Sequence, residues 1–147
     1  MFHRILFPTD GSGLSLKAAD VAVDLAAALH ADLVVLYVVP RYPTAYFEGG
    51  FALEMDQVAR VERSWAEIGQ CAVDQVRDLA GARGLEVKAV TLASDHVADA
   101  ILSATRKHGC DLVVMASHAR KGVRRMLLGS EMQHVLDQGD TAVLVIH

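Results

Sequence analysis

Aromatic residues make up only 5% of these 147 positions, so a core cannot be built from stacked rings and falls to Val, Leu, Ile and Ala. Cysteine is equally sparse. Cys71 and Cys110 stand far apart, without C-x-x-C spacing, which argues against a disulfide framework and for two reduced thiols in or near the core. Positive charge is not in excess: the formal net charge is −4, so nothing draws the whole chain toward nucleic acid or an anionic membrane, and neither is expected as a partner. No apolar run approaches the roughly 18 residues that span a bilayer. Met1-Phe2-His3-Arg4 leads straight into a strand-like run rather than a charged and then apolar signal segment, so a cytoplasmic location is expected. A G-x-x-x-x-G-K-[S/T] loop is missing, which excludes a P-loop, and Gly11-x-Gly13 lacks the third glycine of a dinucleotide fingerprint. There is no internal repeat, low-complexity tract or linker.

What is present suits one domain over residues 1–147, with 52% apolar and 22% charged residues to furnish a core and a solvated surface. Ile5–Phe7, Leu33–Val39, Leu112–Met115 and Ala142–Ile146 are short, nearly unbroken apolar runs, the pattern of strands covered on both faces. Leu85–Val90 alternates, which suits a more exposed edge strand. Between the runs lie helical stripes: Leu14, Ala18, Val21, Leu25 and Leu29 behind an N-cap at Ser12; Val58, Val61, Trp65, Ile68, Ala72, Val76 and Leu79, closed by Gly81 and Gly84; Val97, Ile101 and Ala104, started by Ser94 or Asp95; and Met132, Val135 and Leu136 before Gly139. On its periodic stripe Trp65 is expected to pack rather than to stack on a ligand. Strands alternating with helices predict an open parallel α/β sheet with helices on both faces. The segment from Pro40 to about Phe51 is the one long connection.

Ligands of such sheets sit beyond the carboxyl ends of the strands, where strand order reverses. That points to Pro8-Thr9-Asp10-Gly11-Ser12 and to Ala116-Ser117-His118-Ala119-Arg120-Lys121-Gly122. Arg120, Lys121, Arg124 and Arg125 cluster in an otherwise acidic chain, and Gly129-Ser130 opens the last helix, where free N–H groups and the helix dipole attract anions. Each feature also has a plainer reading: Asp10-Gly11-Ser12 as a turn with a helix cap, the cations as a solvated loop or a surface for an acidic partner, His118 as an exposed side chain. The remaining histidines show no metal-ligand spacing; His30 and His108 fall in the last turns of helices, where they can complement the dipole.

Ile5-Leu6-Phe7-Pro8-Thr9-Asp10-Gly11-Ser12, Asp111-Leu112-Val113-Val114-Met115-Ala116-Ser117-His118, Leu127-Leu128-Gly129-Ser130 and Val143–Ile146, at these separations, resemble the universal stress protein family over the whole chain. The resemblance implies a Rossmann-like sheet of five parallel strands in the order 3-2-1-4-5, of the adenine nucleotide alpha hydrolase-like kind. It also implies a homodimer made by antiparallel pairing of strand 142–146, which would cover an otherwise open edge. The nucleotide-binding members carry G-x-x-G, nine residues, then G-[S/T]. Here the frame is kept, but Ala116 and Ala119 replace the first two glycines. Where such a glycine needs positive φ, alanine costs roughly 1–2 kcal/mol, and a Cβ against phosphate costs more. By the same carry-over Asp10 accepts from ribose, Thr9 lines the adenine side, and Val38 or Val39 contacts the base. Ala116, Ser117, His118, Ala119, Arg120, Gly129, Ser130 and Glu131 are the further residues expected to bind the nucleotide, with Gly129-Ser130 and the nearby cations toward its phosphates. Asp95-His96 departs from the family's usual turn before the third helix.

Two functions follow as expectations. One is a non-catalytic module that binds ATP, ADP or AMP, with Mg²⁺ as companion ion, in a stress-responsive homodimer. The other is a member that has lost nucleotide binding and acts as a dimeric interaction protein for a regulatory partner. Catalysis beyond a weak ATPase lacks a nucleophile–base pair in the sequence. A response-regulator receiver needs an aspartate after the third strand, where this chain has Leu92-Ala93-Ser94.

Overall fold

Each buried strand carries apolar side chains on both faces, and the sheet is accordingly sandwiched between two helical layers. In the computed structural model, residues 1–41, 52–117 and 129–147 are described. Strands β1 (Arg4–Pro8), β2 (Asp32–Val39), β3 (Val87–Ala93), β4 (Leu112–Ala116) and β5 (Ala142–Ile146) alternate with helices α1 (Gly13–Leu29), α2 (Ala52–Gly81), α3 (Val97–His108) and α4 (Ser130–Gln138). The five strands are parallel, in the order β3-β2-β1-β4-β5. Alternation along the strands splits the core. Ile5, Phe7, Leu33, Val35, Leu112 and Val114 meet α1 and α2 on one face, whereas Leu6, Val34, Leu36, Val113 and Met115 meet α3 and α4 on the other.

Helix α1 begins as its sequence predicts: the Ser12 side chain accepts the N–H of Ser15. Its buried face is not the leucine stripe, however. Ala18, Ala19, Ala22, Val23 and Ala26 are buried, while Val21 is exposed. Small residues let this helix lie close to the sheet, and the larger ones are left at its margins. In α2 the periodic pattern likewise overstates burial. Val58, Val61 and Trp65 are only half-buried and Ile68 is exposed, so the firmly packed part runs from Gly69 through Ala72, Val73 and Val76 to Ala80.

The third strand starts later than its alternation suggests. Leu85 donates its N–H to the Ala80 carbonyl and Gly84 takes φ +72°, so Leu85 and Glu86 finish the turn after α2. Pairing with β2 then continues through Thr91, Leu92 and Ala93. As expected, this strand lies at an edge.

At the amino ends of the strands one side chain joins three elements. The Arg4 guanidinium donates to Asp32 of β2 and, through Nη1, to the His108 carbonyl at 2.8 Å. Arg4 thus brings a cation from outside the helix directly onto a carbonyl at the end of α3. Burial, and then the positive charges of Lys88, Lys107 and Arg4, push the His108 pKa down, which favours a neutral ring there. His30 does serve its helix end: it takes φ 55° as the C-cap of α1, with Nδ1 3.1 Å from the Ala27 carbonyl.

Candidate functional site

β1 sends its chain through α1 toward β2, and its neighbour β4 sends its chain through α4 toward β5. Beyond the carboxyl ends of β1, β2 and β4, at this reversal of strand order, lies a cavity of about 380 Å³. Its walls are mostly apolar: Pro8, Leu36, Val38, Val97, Ile101 and Met115. Polar groups gather at its rim, with Asp10 on the β1 side and Gly129, Ser130 and Glu131 on the α4 side. A cleft of this size, apolar with a few convergent polar groups, suits a small planar ligand.

The β1 loop is held by its own hydrogen bonds. Thr9 is buried; its Oγ1 shares a 2.8 Å hydrogen bond with Ser15 Oγ and accepts the Gly11 N–H. Asp10 Oδ1 accepts the Ser12 N–H at 2.9 Å. Gly11 takes φ +76°, and an added Cβ would come 3.2 Å from Ala72 Cβ, so both conformation and space call for glycine here. The turn-and-cap reading of Asp10-Gly11-Ser12 thus holds, and the same turn carries Thr9 and Asp10 to the wall of the cleft.

On β2, Val38 lines the cavity. Val39 is buried beside Glu62 and Ala66 of α2; of the two valines it is Val38 that lines the cleft, together with Leu36 and Tyr37 of the same strand. Ala116 closes β4 opposite Ile146 and lines the cleft, while it also packs against the cluster on the α1 side. Among the described non-glycine residues only His30 has positive φ. The expected left-handed strain at Ala116 is therefore absent, because this position is the last of an extended strand. Ser117 is buried and donates its N–H to the Ile146 carbonyl at 2.7 Å. His118, Ala119 and Arg120, like Lys121, Gly122, Arg124 and Arg125, lie outside the described residues.

Gly129 caps α4 with φ −55° and ψ 155°, and Ser130 is its first helical residue. A Cβ built on Gly129 meets no described residue within 4 Å, and Gly129 lines the cleft. The backbone does not require glycine there; what the missing side chain leaves, among the described residues, is open space. Glu131 lines the same rim, yet its Oε2 accepts the Ala98 N–H at 2.7 Å. That bond supplies a cap for α3 where His96, the N-cap residue, makes no side-chain bond. Ser94, expected to start α3, instead folds onto His96, accepting its N–H and donating to its carbonyl.

Ser15, Val97, Ile101, Met115 and Met132 also line the cleft without having been singled out for it. Val97, Ile101, Met115 and Met132 read in the sequence as core positions and Ser15 gave no signal, and only the packing of several elements shows the empty side. Cys71 departs from expectation as well: it is exposed on α2, whereas Cys110 is buried and its thiol is pushed up to about 11, chiefly by desolvation. Among the described residues no group of His, Cys, Asp or Glu could hold a metal ion, and no helix is long and apolar enough to cross a membrane.

The model of the universal stress protein family matches residues 1–147. A universal stress protein of Methanocaldococcus jannaschii is 30% identical over 99% of this chain and 82% of its own. Among solved structures, a universal stress protein family member from Burkholderia pseudomallei superposes with a TM-score of 0.77 at 27% identity, covering 97% of this chain and 94% of that one. A universal stress protein in complex with cAMP matches with a TM-score of 0.68 at 23% identity, covering 99% and 97%. One from Archaeoglobus fulgidus in complex with dAMP matches with a TM-score of 0.60 at 17% identity, covering 100% and 98%.

Proposed function

The chain belongs to the universal stress protein family, and on that premise we propose that its cleft binds an adenine nucleotide as a non-catalytic sensing module. The base lies against Val38 and Pro8, Asp10 receives ribose hydroxyls, and the phosphates run toward Gly129 and Ser130, where the amino end of α4 offers N–H donors. Magnesium accompanies ATP or ADP. The observation that carries this reading is the open space at Gly129, on the rim of an apolar cleft at the strand-order switch. Two solved relatives of the same fold hold cAMP and dAMP, which supports an adenine nucleotide as the ligand class.

The working unit is a cytoplasmic homodimer in the stress response, paired through β5 and coupled to a regulatory protein partner. β5 pairs with β4 on one side only among the described residues, and its Leu144 is 37% exposed. An apolar edge of that kind is an invitation to pair. The alternative, an interaction protein that has lost its nucleotide, draws on Ala116 and Ala119 in place of two motif glycines.

Gly129→Val separates the two readings. Valine suits this φ and ψ, and its Cβ meets no described residue within 4 Å, so the fold is expected to stand. On calorimetric titration with ATP, ADP and AMP, wild type should give saturable heats, and the variant should lose at least about tenfold in affinity. Equal heats for both proteins would place the ligand elsewhere. No heat for either would favour the interaction protein.

A further inference from the structure

Two helix amino ends flank the cleft, and one carboxylate serves both. Glu131 sits in the first turn of α4, where the positive end of that helix lies, and its Oε2 accepts the Ala98 N–H of α3 at 2.7 Å. The bond is part-buried. One turn along, His134 Nε2 lies 3.1 Å from Asp99 Oδ1, a second tie between the same two helices that keeps Glu131 in place. Glu131 and Asp10 are the charged residues among the described residues lining the cavity, and both are acidic.

We propose that Glu131 selects among adenine nucleotides by phosphate charge, admitting nucleosides, monophosphates and magnesium-bound polyphosphates more readily than free polyphosphates. This rests on the nucleotide reading above and specifies its ligand class. The Ala98 N–H of α3 is already taken by the Glu131 carboxylate. Glu131, which is exposed, stands beside the Gly129–Ser130 corner, with water on its outer side and the apolar wall of the cleft on the other. Each further phosphate charge raises the repulsion, and a bound divalent cation offsets it. Asp10 across the cleft acts in the same sense, and the His134–Asp99 pair lies behind Glu131 on the helix interface.

Glu131→Gln removes the charge and keeps an oxygen that can accept from Ala98; Glu131→Asp keeps the charge on a shorter side chain. Both, with wild type, would be titrated calorimetrically with adenosine, AMP and ATP in EDTA, and with ATP in excess Mg²⁺, after their thermal unfolding is compared. In EDTA, Glu131→Gln should tighten ATP at least about tenfold and leave adenosine within about twofold; Mg²⁺ should shrink the ATP gain. Glu131→Asp should keep the wild-type ratio of ATP to adenosine affinity. Arg120, Lys121 and the other cations are common to all three proteins, so the ratio isolates Glu131. An unchanged ratio in Glu131→Gln, or the same change in Glu131→Asp, would overturn the proposal while leaving nucleotide binding intact. If wild type binds neither adenosine, AMP nor ATP, the nucleotide reading fails and the proposal with it.

Discussion

Gly69 of α2 lies directly over the ring of Tyr37 in β2: a Cβ at this position would overlap Tyr37 Cδ1 and stand 2.7 Å from Cε1. The contact sets how closely the long helix approaches the sheet, one residue before Val38 enters the cleft. Gly69→Ala must push the ring or the helix aside. A loss of about 1–3 kcal/mol in urea unfolding is expected, and Tyr37→Leu in the same chain should recover part of it. An alanine variant as stable as wild type would show that helix and ring have room to part.

Acid should weaken the fold in two stages. His108 has its pKa lowered by burial and then by Lys88, Lys107 and Arg4, so just below its ordinary 6.5 the unfolded chain binds the proton more readily. Its contribution to stability is present above pH 6.5 and is lost as pH falls below it. Asp111 is also lowered: desolvation raises it, but the N–H bonds from Arg4 and His3, at 3.0 and 2.8 Å, outweigh that. Its contribution is present above the ordinary 3.8 and disappears as pH falls through the lower folded value. In a urea series from pH 8 to 3, His108→Gln should flatten the limb beginning near pH 6.5, and Asp111→Asn the more acidic limb. Unaltered limbs would contradict both assignments.

The two thiols should differ in reactivity. Cys71 is exposed, whereas Cys110 is buried with its thiol near 11, and the thiolate is the reactive species. A maleimide at pH 7.5 should modify one site within minutes and a second only on unfolding, and Cys71→Ser should remove the fast phase. Two fast sites in the native wild type would contradict the buried environment of Cys110.

The alternation of strands and helices and the parallel sheet were legible in the sequence because they depend on periodicity and connection rules, which are local or topological; the strand order, and with it the switch point at the cleft, came from the family resemblance. Gly129 and Ser130 were legible as the opening of α4 from the same periodicity. Which face of α1 is buried was not, since alanines carry a weak hydrophobic signal and are chosen here for closeness. Nor was the choice between Val38 and Val39, which only the packing around β2 settles. The bond from Glu131 to Ala98 spans 33 residues and is invisible to any local pattern. The strain expected at Ala116 came from a motif frame; the extended end of β4 removes it.

The most direct test of the nucleotide site is to purify the protein without added nucleotide, denature it, and identify the released small molecules by chromatography and mass spectrometry, with a Gly129→Val preparation alongside. ATP, ADP or AMP near one per chain from wild type, and little from the variant, is the expected result. Wild type that releases no nucleotide, and then gives no heat with millimolar Mg-ATP or AMP, would contradict the account.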